Sequence, residues 1–222
     1  MIDVLFGKII TLAQYMKVLL INGSPHQQGN TAIALDEMAR RFNANGIDTE
    51  IIWIGTKAVQ GCIGCYKCME LNRCAFQDEL YNSVRAALES SDALVVGTPT
   101  YYAGPNGSLC ALLDRVFCSS GNLLRGKPAA AVAVCRRGGA VTAFERINKY
   151  FEMMNMPMAN SQYWNIVYGR KIGDAAADAE GLQTMRTLAD NMTWLLKSLD
   201  RNQRPEQEPW TMTNYIRRDL KQ

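Results

Sequence analysis

At 222 residues, 48% of them apolar and 20% charged, the chain is long enough for one α/β domain with a substantial core and short for two. A formal net charge of +3, with no basic run longer than the pairs Arg40-Arg41, Arg136-Arg137 and Arg217-Arg218, leaves no nucleic-acid or membrane footprint, so small-molecule chemistry comes forward. Seven cysteines without an export signal point to a reducing cytoplasm rather than to a disulfide-stapled secreted domain.

Residues 1–15 carry the apolar stretch Ile9 to Ala13 with only Asp3 and Lys8 charged. That is short of the roughly 20 residues of a membrane span and lacks the basic start of a signal peptide, so it reads as an extension before a domain that begins at Met16. Lys17–Asn22 predicts a strand, and from Ala32 the residues Ile33, Leu35, Met38, Ala39 and Phe42 recur at helical spacing until Asn45-Gly46. Between them lies Gly23-Ser-Pro-His-Gln-Gln-Gly-Asn-Thr31. Strand, glycine-bearing loop and helix in that order aim free backbone N–H groups and a helix dipole at an anion, and a phosphate is expected. No Lys-Ser or Lys-Thr closes the loop and the Gly-x-Gly-x-x-Gly spacing is absent, so neither a triphosphate loop nor a dinucleotide turn fits. Ser24, Asn30 and Thr31 offer the hydroxyl and amide donors that suit a phosphate monoester; His26, the only histidine, is placed to contact phosphate or solvent. Taken alone, the loop is also an ordinary Gly/Pro turn capped by Thr31.

Asp48 to Gly55 predicts a second strand, with Ile51 to Ile54 as continuous as in a buried parallel sheet. A cysteine loop follows, in which Cys62, Cys65 and Cys68 are separated by two residues each and Cys68 and Cys74 by five. One turn of chain can then offer three thiolates to a single cubane, with a fourth close behind; zinc, a redox disulfide or unligated thiols satisfy the same spacing. Asp78 to Ser90 predicts a helix, Ala93 to Pro99 a strand buried on both faces, Ser108 to Phe117 a helix, Pro128 to Cys135 a strand and Ala140 to Met154 a helix. Tyr163 to Val167 is a weaker fifth strand, and Leu182 to Leu199 repeats at three and four as a final helix. Cys110, Cys118 and Cys135 fall in core-like runs and read as small apolar residues. Beyond Asp200 a polar link with Pro205 and Pro209 leads to Trp210, Tyr215 and Ile216, which suit an arm lying on its own domain or on a partner subunit.

Alternating strands and helices imply a doubly wound parallel sheet, whose ligands sit outside the carboxyl ends of the strands. Three loops should meet there. The second, with Pro99, Thr100, Tyr101, Tyr102, Gly104, Asn106 and Gly107, can lie along a flat heterocycle such as a flavin ring and present backbone N–H groups to its polar edge. The third, Cys135 to Gly139, adds Arg136 as positive charge and Gly138 and Gly139 for close approach, although solvated arginines at Arg136 and Arg137 are an equal reading.

Taken together, Gly23-Ser-Pro with Gly29-Asn-Thr31, Thr98-Pro-Thr-Tyr-Tyr with Gly104-Pro-Asn-Gly107, and Leu113-Asp-Arg115 resemble the NADPH-dependent FMN reductase family, and within it the iron-sulfur flavoproteins, over residues 17–199. The resemblance implies a flavodoxin-like α/β fold, a doubly wound five-stranded parallel sheet with helices on both faces, bound FMN, and a homodimer or homotetramer. It places Ser24, Asn30 and Thr31 on the phosphate and Thr100, Tyr101, Tyr102, Asn106 and Gly107 along the isoalloxazine. It also matches the Cys62, Cys65, Cys68 and Cys74 spacing to a [4Fe-4S] motif, with five residues before the last cysteine and no proline after it as departures from the common ferredoxin run. The domain expectation is an extension at 1–15, an FMN-binding domain at 16–200 and a C-terminal arm at 201–222. Two functions follow from it. The first is an oxidoreductase taking hydride from NAD(P)H and reducing a small acceptor such as a quinone, nitro or azo compound or flavin. The alternative is an electron carrier fed by ferredoxin through a cluster, with no nicotinamide site. Neither requires a catalytic side chain, since the chemistry is the cofactor's.

Overall fold

The computed structural model describes residues 15–199, 204–209 and 211. Five strands, β1 (Lys17–Asn22), β2 (Asp48–Trp53), β3 (Ala93–Pro99), β4 (Ala129–Cys135) and β5 (Ile166–Tyr168), form one sheet in the order β2-β1-β3-β4-β5. Every pairing is parallel. The helices are α1 (Asn30–Ala44), α2 (Cys68–Leu71), α3 (Glu79–Ser90), α4 (Gly107–Ser119), α5 (Gly121–Leu124), α6 (Ala140–Met153) and α7 (Ala179–Ser198), and a 3-10 turn spans Asp174–Ala177. No helix among the described residues is long and apolar enough to cross a membrane.

Side chains that alternate along a strand reach opposite faces, so the apolar strands feed two cores. Val18, Leu20 and Val95 face Leu35, Met38 and Phe42 of α1 and Met185, Leu188 and Met192 of α7. Leu19, Ile21 and Val96 face Leu88 of α3, Leu112 and Val116 of α4 and Phe151 of α6. Each fully buried aliphatic side chain contributes about 1.5–3 kcal/mol, which is why β1, β3 and β4, apolar on both faces, occupy the interior of the sheet. On the first face, α1 and α7 are also joined by charge. Arg41 donates to both carboxylate oxygens of Asp190, at 2.7 and 2.8 Å, and Arg186 reaches Glu37 at 2.5 Å.

Two strands differ from the sequence expectation. β2 pairs only with β1 and is an edge strand, so Ile51 is exposed and Ile52 and Trp53 are half-buried despite their buried-strand composition. β5 begins three residues later than the pattern suggests, because Tyr163 and Trp164 pack against each other at the surface, 5.1 Å between ring centroids and tilted by 50°, before the chain enters the sheet. The proposed arm residues Trp210, Tyr215 and Ile216, and the extension before Tyr15, lie outside the described residues.

From β1 the chain crosses to β2 on one side and, later, to β3 on the other. The loops after β1 and β3 therefore diverge around a crevice at their carboxyl ends, the switch point where such sheets bind ligands.

Candidate functional site at the carboxyl ends of the strands

The loop after β1 is held from within. Gly23 N–H donates to Gly97 O at 2.8 Å, Ser24 N–H to Asn22 Oδ1 at 3.1 Å and His26 N–H to Ser24 Oγ at 3.1 Å, while Trp53 Nε1 donates to Ser24 O at 2.7 Å. A side chain at position 23 would meet Gly97 O at 2.7 Å, so glycine is required for β1 and β3 to lie this close. Gly29 caps α1 without a side chain, and the N–H groups of Asn30, Thr31 and Ala32 in its first turn have no partner among the described residues. Such a turn presents unpaired donors and the positive end of a helix dipole, which fits a phosphate. Ser24 and Thr31 are buried at its base and His26 is exposed at its lip.

Asn30 has a different task from the one its amide suggests. Its Nδ2 donates to Lys171 O at 2.8 Å, and its Oδ1 accepts from Gly173 N and Ala175 N, both at 3.1 Å. The side chain thus fastens the loop after β5 to the first turn of α1, and only the backbone N–H of Asn30 is left to meet an anion there. The loop 169–175 is a fourth wall of the site that the sequence reading missed. Gly169 is its signal, since a side chain there would meet Asn30 Nδ2 at 2.7 Å.

The loop after β3 turns back on itself. Tyr101 and Gly104 exchange backbone hydrogen bonds of 2.8 and 2.9 Å, and Tyr102 and Ala103 between them adopt left-handed φ values of 50° and 59°. Both tyrosines are exposed on this tip, as are Gly107 and Arg136, whereas Pro99 and Thr100 are half-buried. Asn106, expected along the ring, bonds within the protein. Its Nδ2 donates to Gly23 O at 2.8 Å and its Oδ1 caps α4 at Ser108 N, so it locks the second loop to the first. The third loop closes on the second: a side chain at Gly139, which adopts φ 85°, would meet Ala103 Cα at 2.9 Å, and Gly138 lies exposed beside it. Thr100 Oγ1 is buried without a hydrogen-bond partner among the described residues, an unmet polar atom on the loop that would lie along a flavin edge. Free N–H groups at one end and an unpaired hydroxyl at the other fit FMN.

A second feature lies on the α3–α4 side. Cys62, Cys65, Cys68 and Cys74 line one cleft, and Cys118 of α4 joins them. Cys118, read from sequence as a core residue, is exposed, with Sγ 3.7 Å from Cys68 Sγ; burial, then the neighbouring thiols of Cys68 and Cys62, push its thiol up to about 12. Cys135 is buried as expected and Cys110 is half-buried. Beneath the cleft Arg115 is only 1% exposed. It donates to Gln60 O at 3.3 Å and Phe76 O at 2.5 Å, pairs with Asp78 at 2.5 Å and lies over the Tyr81 ring at 4.9 Å. One guanidinium therefore clamps both ends of the cysteine loop to α4. Among the described residues no three His, Cys, Asp or Glu side chains stand ready-set around a single metal ion. The donor set itself is all thiol, the chemistry that suits iron-sulfur clusters.

The sequence profile described as NADPH-dependent FMN reductase matches residues 16–171. An iron-sulfur flavoprotein of Methanocaldococcus jannaschii is 32% identical over 190 residues, covering 82% of this chain and 98% of its own. The structure of RosB with a bound 8-demethyl-8-formylriboflavin-5'-phosphate intermediate superposes with a TM-score of 0.67 at 14% identity, covering 82% of this chain and 79% of that one. A flavodoxin from the domain Archaea does so with a TM-score of 0.55 at 15% identity, covering 82% and 99%.

Proposed function

The chain belongs to the NADPH-dependent FMN reductase family, and from that premise we propose that it holds FMN at the loop mouth and a [4Fe-4S] cluster in its cysteine loop, as an electron-transferring oxidoreductase. The observation that carries the cluster is the convergence of Cys62, Cys65, Cys68 and Cys74 on one cleft, on a loop pinned at both ends by the buried Arg115. Relatives named iron-sulfur flavoproteins support the same reading. When bound, FMN supplies one- and two-electron chemistry and a cluster supplies single-electron chemistry, so their pairing joins donors and acceptors of different electron number.

The protein's part is binding and shape. Unpaired N–H groups of Asn30, Thr31 and Ala32, with the Ser24 and Thr31 hydroxyls, hold the phosphate; Thr100 Oγ1 offers the ring a hydrogen bond; Tyr101 and Tyr102 flank it. Iron and acid-labile sulfide, measured with flavin on anaerobically purified protein, test this reading. About four of each per chain are expected; none after anaerobic reconstitution would overturn it.

A second reading, NAD(P)H as hydride donor with a quinone, nitro or azo compound or free flavin as acceptor, is favoured by the exposure of Tyr101 and Tyr102, which leaves the ring side of the site open. Anaerobic bleaching of the flavin by NADH or NADPH, rather than by reduced ferredoxin, would select it. A symmetric oligomer, with the C-terminal arm at the subunit boundary, belongs to the same proposal.

A further inference from the structure

We propose that Cys68 and Cys118 form a redox-active dithiol whose oxidation withdraws Cys68 from the cysteine loop's ligand set. Their sulfurs are 3.7 Å apart, while a disulfide requires about 2.05 Å, so a closure of about 1.7 Å suffices. The two thiols come from elements of different stiffness. Cys118 sits in the last turn of the thirteen-residue α4, whereas Cys68 opens the one-turn α2 inside the loop. The loop side can therefore move to the helix side. Solvent reaches the pair twice: Cys118 lines the cleft with the other cysteines, and it also lines a groove with Cys62, Asp114, Tyr150 and Met153 between α4 and α6.

The reaction is thiol–disulfide exchange with a low-molecular-weight disulfide, RSSR. The Cys68 thiolate attacks one sulfur, the RS–SR bond breaks, and RS⁻ leaves with a mixed disulfide at Cys68. The Cys118 thiol then attacks the Cys68 sulfur, its proton passing to the second RS⁻ as that group is expelled. In sum two protein thiols are oxidised, RSSR is reduced, and the two thiol protons end on two RSH. The product ties α2 to α4 and removes a thiolate that the run would give to a cluster. The dithiol stands whether or not the run holds a cluster; only its effect on loading rests on the function proposed above.

The test uses the full-length chain, purified anaerobically and stripped of iron, with oxidised glutathione as the probe. Free thiols are then alkylated and the digest mapped by mass spectrometry without reduction. The expected result is loss of two free thiols and a Cys68–Cys118 peptide as the main cross-link. Cys118→Ser should abolish the cross-link and leave glutathione on Cys68, with flavin content and circular dichroism unchanged. A dominant cross-link within Cys62, Cys65, Cys68 and Cys74, or full alkylation of Cys118, would overturn the proposal. In a separate arm, oxidised wild type should take up less than half the iron and sulfide of its reduced form, and Cys118→Ser should lose less. Equal uptake by oxidised and reduced wild type would remove the effect on loading. Failure of the reduced protein to take up iron at all would instead strike the cluster reading.

Discussion

Asn30 opens α1, yet its side-chain partners are Lys171, Gly173 and Ala175, more than a hundred residues on. Sequence chemistry placed it at the phosphate because an amide beside a glycine loop is a good donor. Its long-range partners could not be read from the residues around it, and Gly169, the one trace in the loop after β5, marks a close approach without saying to what. The place of Thr31 in the first turn of the helix could be read whatever the tertiary contacts, and its contact with phosphate is part of the proposal. The account predicts that Asn30→Ala and Thr31→Val each weaken FMN binding by about 1–3 kcal/mol, through different routes. In Asn30→Ala, amide hydrogen exchange at Gly173 and Ala175 should rise, because both N–H groups lose their acceptor. In Thr31→Val it should not. Fluorescence titration with FMN and exchange mass spectrometry check the pair; an unchanged FMN titration in both variants would remove these residues from the site.

The cysteine loop shows how far spacing carries an element. Its four close cysteines were visible in the sequence, but the fifth, Cys118, follows Val116 and Phe117 in a run that reads as core. Successive helix positions are about 100° apart, and that step carries Cys118 off the buried stripe onto the face toward α2. Arg115 was equally hidden, because its buried charge is tolerable only with partners from Gln60, Phe76 and Asp78. Arg115→Met should leave those carbonyls without their guanidinium donor and Asp78 with only the Tyr81 N–H. A loss of about 2 kcal/mol is expected, below the full cost of breaking a buried pair since Asp78 is partly exposed, together with faster proteolysis within residues 60–77. The same pair sets a pH dependence. Burial works against the Asp78 charge, but the Tyr81 N–H and Arg115 outweigh it and hold the carboxyl below its ordinary 3.8. A depressed carboxylate stabilises the fold fully above its unfolded value and loses that contribution as pH falls through its folded value. Loop proteolysis should therefore accelerate below about pH 4 in the wild type and show a flatter profile in Asp78→Asn.

At the scale of the whole molecule the order of elements was legible, because apolar strands alternating with amphipathic helices admit few arrangements other than a doubly wound sheet. Placement within the sheet was less so. Ile51 and Ile52 resemble a central strand, and only pairing reveals β2 as an edge. What covers the outer surface is a further question at this scale, for Trp194 of α7 and the Tyr163–Trp164 pair are exposed. If the C-terminal arm crosses to a second copy, deleting the residues after Arg204 should lower the oligomeric state in sedimentation measured over a range of concentrations. A full-length monomer at micromolar concentration would exclude that arrangement. The central claim is that one phosphate turn on α1 and one ring-bearing loop after β3 form a site for FMN. Its most direct test is mass spectrometry of the cofactor released by heat from freshly purified protein. The account predicts FMN, near one per chain; FAD as the main species, or a colourless protein that takes up no FMN on titration, would contradict it.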